Sequence, residues 1–201
     1  MSRASTVDQR RAAILEAAIE VLASDGIAET TTRKIAARAG VNQAMLRYYF
    51  GSKDELLFAV LQEMMRQTGE VVRMATPGGK GLRETLHEGL AGFWSHFEAR
   101  PELQVMQYEL TLYALRNPES AWLARQQYDG YCTVVETLLE EHFAAHGQQC
   151  VLSVAELARF VVAGLDGFIL QFISNRDSLR ARIDLEHLVD AVMALIEGPA
   201  V

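Results

Sequence analysis

With 201 residues the chain can form one large domain or two small ones, and half of its residues are hydrophobic, ample for a core. No stretch approaches the roughly 20 apolar residues a membrane helix needs, and no apolar signal-peptide segment follows the first arginine, so a cytoplasmic protein without a membrane partner is expected. The net charge of −7 is uneven: residues 1–53 carry 8 Lys and Arg against 5 Asp and Glu, while residues 54–201 carry 11 against 21. A basic N-terminal part keeps a nucleic-acid partner open, and an acidic remainder holds non-specific binding in check. Two cysteines, Cys132 and Cys150, are too few for a disulfide framework.

Residues 1–6, MSRAST, read as a short polar arm, and Thr6 with Gln9 as a capping box for a helix running to about Ser24. Ile14, Ala17, Ala18, Val21 and Leu22 form its apolar stripe, and Asp25-Gly26 ends it. Residues 30–56, TTTRKIAARAGVNQAMLRYYFGSKDEL, predict two short helices joined by a tight turn, then the start of a longer one. Thr31 caps the first short helix, and Ile35, Ala36 and Ala39 give it a narrow apolar face. Ala36 and Gly40 suit a steep crossing, with a small side chain at the contact and a left-handed residue at the corner. The second runs from about Asn42 to Tyr49, with Val41, Leu46 and Phe50 inward and Gln43, Ala44, Arg47 and Tyr48 outside.

Ser52 with Glu55 is a capping box that opens a helix to about Ala75 through Leu56, Leu57, Val60, Leu61 and Met64. Lys53 in its first turn opposes the helix dipole, which makes sense where the helix start faces a phosphate. An exposed arginine and amide can make bidentate contacts with base edges in the major groove, while Thr, Tyr and Lys grip phosphates. The candidate DNA-contacting residues are therefore Thr31, Thr32, Arg33, Asn42, Gln43, Ala44, Met45, Arg47, Tyr48, Tyr49 and Lys53.

The run TTTRKIAARAGVNQAMLRYYFGSKDEL resembles the DNA-binding signature of tetracycline-repressor (TetR) family regulators, and the preceding helix with its Gly26 end fits the same pattern over residues 7–60. Beyond that point the length and helix order resemble the family's ligand-binding and dimerisation domain. QYELTLYALRNP and AGLDGFILQF resemble the subfamily of choline-responsive regulators. The sequence departs from the family pattern at Arg47, most often a tyrosine, and at Ala44, often a glycine; both departures bear on the operator sequence rather than on how the helix docks. The resemblance implies an all-α fold of about nine helices, with a helix-turn-helix domain over 1–52 and a helical ligand-binding and dimerisation domain over 53–201.

In the rest of the chain Pro77-Gly78-Gly79-Lys80-Gly81 is the clearest break. Helices are expected from Leu82 to Ala99, from Pro101 to Arg116, from about Pro118 to His146, from Ser153, in a capping box with Glu156, to about Asn175, and from Asp184 to Glu197. The helix after Ser153 is apolar nearly all round, and Gly164 and Gly167 in its middle point to a close backbone approach. With the last helix it is expected to form a two-fold four-helix interface through Leu157, Phe160, Gly164, Gly167, Phe168, Phe172, Leu188, Val192, Leu195 and Ile196.

Trp94, Phe97, Met106, Tyr113, Trp122, Tyr128, Cys132, Asp166 and Gln171 are candidates to line a small-molecule cavity, an apolar space with a few polar groups. Glu84 and His87 form a Glu-x-x-His pair, the unit of di-iron helical centres, but no second pair exists. His142, His146 and Cys150 fall four apart, soft ligands if one helix carried all three, although Gly147 interrupts that helix. No catalytic triad or phosphate loop is evident, and neither an enzymatic activity nor a cofactor is expected. The expected function is a homodimeric transcription regulator, a repressor that leaves double-stranded operator DNA when a small-molecule effector binds. Two rivals are a regulator controlled by a partner protein or by no ligand, and an all-helical enzyme or carrier that keeps the helix-turn-helix.

Overall fold

The computed structural model describes residues 3–147 and 150–197. Nine α-helices follow one another among these residues: α1 Arg3–Glu29, α2 Thr32–Arg38, α3 Gln43–Phe50, α4 Lys53–Ala75, α5 Leu82–Ala99, α6 Pro101–Arg116, α7 Ala121–His146, α8 Val154–Asn175 and α9 Ser178–Glu197. A 3₁₀ turn, Pro118–Ser120, precedes α7. The all-α fold is the one expected. The backbone is already helical from Arg3, so most of the expected arm belongs to α1, and Thr6 stands inside the helix rather than at its cap.

Local chemistry sets most of the ends. Gly26 breaks α1 with φ +73°, a conformation that costs a residue without Cβ nothing. Ser52 and Glu55 close a reciprocal box at the start of α4, with bonds of 2.8 and 3.1 Å. Ser153 and Glu156 do the same for α8. The last helix begins earlier than Asp184, because Asp177 caps it: its carboxylate accepts from the Arg180 N–H at 2.9 Å.

The helices pack into two compact units, one comprising the chain up to Arg66 with Arg100–Gln127, the other Gln67–Ala99 with the chain from Tyr128 onward. These packing units do not follow a division at residue 52: the start of α4, all of α6 and the start of α7 pack with the N-terminal helices. The core of the first unit brings together Ile14, Ala18 and Leu22 of α1, Ile35 and Ala36 of α2, Leu46 and Phe50 of α3, Leu57 and Val60 of α4, and Met106, Leu110 and Ala114 of α6. Helices α4 and α7 each continue from one unit into the other.

In the second unit α9 packs along α8 and α5. Trp94, Phe97 and Phe172 meet edge to face with ring centroids 5.0–5.4 Å apart. Gly164 is where the close approach falls: a Cβ there would lie 2.8 Å from the Leu188 side chain, whereas one at Gly167 would meet nothing within 4 Å. The expectation for Gly167 therefore fails within the chain. Helix α8 is also long and apolar enough, by length and composition, to cross a membrane, contrary to the sequence expectation; about a third of its most apolar window is buried within the chain.

The end of α4 lies tightly against α5, and a Cβ at Gly92 would come 2.5 Å from the Ala75 Cβ. Both atoms are fixed to helical backbone, so Gly92→Ala forces the helices apart. The roughly 1 kcal/mol of helix propensity it gains is outweighed by overpacking of about 1–3 kcal/mol. A lower midpoint in urea with an unchanged slope is expected.

Candidate nucleic-acid interface

Helix α2 begins where Thr31, in extended conformation, accepts from the Lys34 N–H on its hydroxyl at 3.2 Å. It ends in a Schellman turn: the Val41 N–H reaches the Ala36 carbonyl at 2.9 Å and the Gly40 N–H the Ala37 carbonyl at 3.2 Å, with Gly40 at φ +65°. Two residues on, the Asn42 carboxamide accepts from the Met45 N–H at 2.9 Å and opens α3. The corner between the helices is thus fixed by local hydrogen bonds at both helix ends. Leu46 and Phe50 are buried, while Gln43, Ala44, Arg47 and Tyr48 are exposed, Tyr48 to 81%.

The Gln43 side chain donates to the Thr32 hydroxyl at 2.9 Å, which braces the start of α3 against α2. A groove of 630 Å³ is lined by Thr32, Gln43, Ala44, Arg47 and Lys53 over a floor of Leu46, Phe50 and Leu56. Tyr48 and Tyr49 meet edge to face at 5.2 Å, and Tyr49 and Met45 are half-buried. Arg33 is exposed, whereas Lys34 and Arg38 are engaged with Asp25 at 2.8 Å and Glu20 at 2.6 Å. The lysine and the Ser24 hydroxyl hold the Asp25 carboxyl below the usual range.

Lys53 lines the groove yet turns partly inward, its ammonium 3.5 Å from the Thr30 carbonyl and 5.6 Å from the centre of the Tyr113 ring. The neighbouring Asp54 accepts from the Tyr113 hydroxyl at 3.1 Å and the Ser120 hydroxyl at 2.5 Å. Burial first, and Asp54 second, push the Tyr113 phenol up. Thr30, Asp54, Glu109 and Ser120 escaped the sequence reading. No local signal marks Glu109, because α6 also carries Glu102, Gln104, Gln107 and Thr111 and the partner of Glu109 lies 82 residues away.

The candidate cavity residues divide between the two units. Met106 is core, Tyr113 belongs to the Asp54 contacts, and Trp122 packs on Phe58 with ring centroids 4.9 Å apart, all in the first unit. In the second, Trp94 and Phe97 share the aromatic cluster with Phe172, and the indole Nε1 of Trp94 is buried without a partner. The Tyr128 hydroxyl donates to Asp166 at 2.7 Å, and burial, then the carboxylate, drive its pKa far up. Cys132 is half-buried, its thiol pushed up by burial and then by Glu136, and Gln171 is exposed.

Among the expected interface residues Leu157, Phe172, Leu188, Val192 and Ile196 are buried inside the chain; Phe160 is exposed, and Gly164, Gly167, Phe168 and Leu195 are half-buried. Glu84 pairs with Lys80 at 2.9 Å, and the His87 ring nitrogen lies 2.8 Å from the Glu186 carboxylate, both at the surface. His142 and His146 stack at 4.1 Å while the Cys150 thiol bonds to the Leu195 carbonyl, and among the described residues no group of three His, Cys, Asp or Glu is placed to hold a metal. Burial, with His146 second, pushes the His142 imidazole down.

Residues 14–60 match the family described as "Bacterial regulatory proteins, tetR family", and residues 81–198 the family described as "Tetracyclin repressor-like, C-terminal domain". The chain belongs to the tetR family. It is a DNA-binding transcriptional regulator and not an enzyme. Among its relatives, the nicotine-responsive transcriptional repressor HdnoR of Paenarthrobacter nicotinovorans is 31% identical over 95% of this chain and 97% of its own length. The regulator BetI 1 of Chromohalobacter salexigens is 30% identical over 49% of this chain and 57% of its own, so likeness to that group is partial. Of solved structures, the multidrug binding protein EbrR complexed with imidazole shares 27% identity, covering 96% of this chain and 97% of that one at a TM-score of 0.66. A tetR-family regulator from Rhodococcus sp., 21% identical, covers 94% of this chain and 99% of its own at a TM-score of 0.78, a likeness of fold.

Asn42 separates stability from binding in this tetR-family reader. Asn42→Ala removes the cap of α3 and is expected to cost ~1 kcal/mol in thermal unfolding. Asn42→Asp keeps the cap and the stability but adds a negative charge beside the groove, so its DNA affinity falls, most at low salt.

Proposed function

We propose that the chain is a homodimeric cytoplasmic repressor whose α3 reads a palindromic operator and which leaves it when an apolar, nitrogen-containing small molecule binds the second compact unit. The observation that supports the DNA-reading part is α3 itself, held by Leu46 and Phe50 and exposing Gln43, Arg47 and Tyr48 beside a polar groove. In this reading residues 1–52 touch DNA, and residues 53–201 supply the effector site and the dimer. Arg47 reads a base, and Lys53 and Tyr49 hold phosphates. Arg47→Ala should cost ~1–3 kcal/mol on a matched operator and relax preference at one position, while Lys53→Ala weakens matched and scrambled duplexes alike and flattens the salt dependence. Gel-shift titrations on both duplexes distinguish the two; equal profiles for the two variants would end the division of labour.

The dimer is supported by apolar surface that the chain leaves uncovered on α8 and α9. Phe160, Leu170, Leu179 and Ile183 are 41, 52, 71 and 41% exposed. These, rather than the buried Leu188 and Val192, are the side chains a second copy covers, beside Gly167, where no atom lies within 4 Å of an added Cβ. Gly167→Glu and Phe160→Glu bury an unpaired charge there, and both variants should sediment as monomers at micromolar concentration while keeping their helix content.

The effector reading draws on the relative named as nicotine-responsive, on the likeness to a structure holding imidazole, and on the buried Trp94 N–H, a donor for a ring nitrogen or other acceptor. Two recognition helices must lie about one DNA turn, roughly 34 Å, apart to be read together. An effector that favours another spacing lowers affinity by its preference for that state, typically 5- to 150-fold, and the linkage is reciprocal. Calorimetry with nicotine as the test compound should show weaker binding with operator present; equal affinities in both titrations would mean nicotine does not act through this linkage.

A further inference from the structure

The helix-turn-helix is held by α6 at both of its ends. At its entry Gly26 breaks α1, and the freed N–H of Ile27 donates 2.9 Å to the Glu109 carboxylate of α6, a contact across 82 residues. The approach is tight: a Cβ on Gly26 would stand 3.0 Å from the same oxygen. The Thr30 hydroxyl then folds back on the Gly26 carbonyl at 2.6 Å, so the segment that leads into α2 is fixed between α6 and its own turn. At its exit the Tyr113 hydroxyl donates to Asp54 at 3.1 Å, and the Tyr113 ring lies under the Lys53 ammonium at 5.6 Å. Lys53 in turn reaches the Thr30 carbonyl at 3.5 Å, closing the loop between exit and entry.

Glu109 and Tyr113 are four residues apart and so stand on one face of α6, one turn from each other. Between the points they hold lie α2, α3 and the Gly40 corner, which contribute few buried side chains of their own. We infer that Glu109 and Tyr113 are positioning residues for DNA reading: they touch no base, but they fix the two chain segments that flank the reader and thereby the angle at which α3 is presented. A charge-assisted bond from a carboxylate to a backbone N–H is the stronger kind, and a neutral amide can still accept it. Nothing in this depends on the effector or on its site.

The test uses a duplex selected from random sequence by the parent protein, beside a scrambled duplex of the same length. Operator affinity is measured for the parent, E109A, E109Q and Y113F at a temperature where circular dichroism shows each fully folded. E109A and Y113F should each lower affinity for the selected duplex at least fivefold, leave the scrambled duplex within twofold, and show faster amide exchange in α2 and α3 but not in α8 and α9. E109Q, which keeps an acceptor for the Ile27 N–H, should recover most of the loss. Parent-like affinity in E109A and Y113F would overturn the inference, as would an equal loss on both duplexes or an E109Q as damaged as E109A. Should E109A not fold, Y113F decides alone, since it removes one oxygen and keeps the ring under Lys53. A parent that selects no duplex, together with unchanged exchange in α2 and α3 of Y113F, would count against both the inference and the DNA reading; altered exchange in that case would leave the bracket standing and remove the DNA reading alone.

Discussion

The helix-turn-helix cannot bury itself. Helices α2 and α3 have 7 and 8 residues and supply Ile35, Ala36, Leu46 and Phe50 as their buried side chains. Isolated helices shorter than about 12–15 residues are marginal in water, so these exist because other helices give them a core. Helices α1, α4 and α6 do so, and the first compact unit therefore reaches beyond the N-terminal helices to Arg100–Gln127. A reader built this way is stable only in the company of α6. Whatever displaces α6 acts on the angle of α3 as well as on its stability, because the same side chains serve both.

That dependence marks what the sequence could reveal. The Thr31 cap, the Gly40 corner and the capping boxes at Ser52 and Ser153 all use partners within five residues, and each stands where the spacing put it. The bond between Ile27 and Glu109 spans 82 residues, and nothing in either neighbourhood announces the other. The start of α9 is hidden for a smaller reason: after the Asp177 cap its first two turns carry Leu179 and Ile183 outward and only the small Ala181 inward, so the large inward side chains begin at Leu185. Among the cavity candidates, helical spacing predicts burial but not which unit a buried residue joins. Met106, Tyr113 and Trp122 went to one unit and Trp94 and Phe97 to the other. Gly164 and Gly167 looked alike in sequence, yet Leu188 stands against the first and nothing within the chain stands against the second.

Charge follows the same division between local and global. Lys34 and Arg38, two of the cations that make the N-terminal part basic, are matched to Asp25 and Glu20, and exposed pairs of this kind add little stability. At the groove itself the cations are Arg47 and Lys53, with the exposed Arg11 over the Phe50 ring of its floor. With the acidic remainder of the chain, this makes a short-range attraction that salt screens within about 8–10 Å, rather than a general affinity for polyanions.

Helix α8 poses the sharpest physical choice in the molecule. By length and composition it would suit a membrane, and about a third of its most apolar window is covered by its own chain. Asp166 lies near its middle, however, and a carboxylate at the centre of a spanning helix costs at least ~2.5–3.5 kcal/mol. Here that carboxylate accepts the Tyr128 hydroxyl at 2.7 Å, and Glu156 closes the capping box at the helix start. Along one side α9 supplies Leu188, Val189 and Val192, and a Cβ at Gly164 would stand 2.8 Å from the end of the Leu188 side chain. Lipid would have to accept the exposed Arg159 and Glu156 beside Phe160, whereas a protein surface can place water at the charges and apolar contact at the ring. The composition that mimics a membrane span therefore suits a helix covered on one side by its own chain, and the second copy proposed above would cover the side that Phe160, Gly167 and Leu170 leave open.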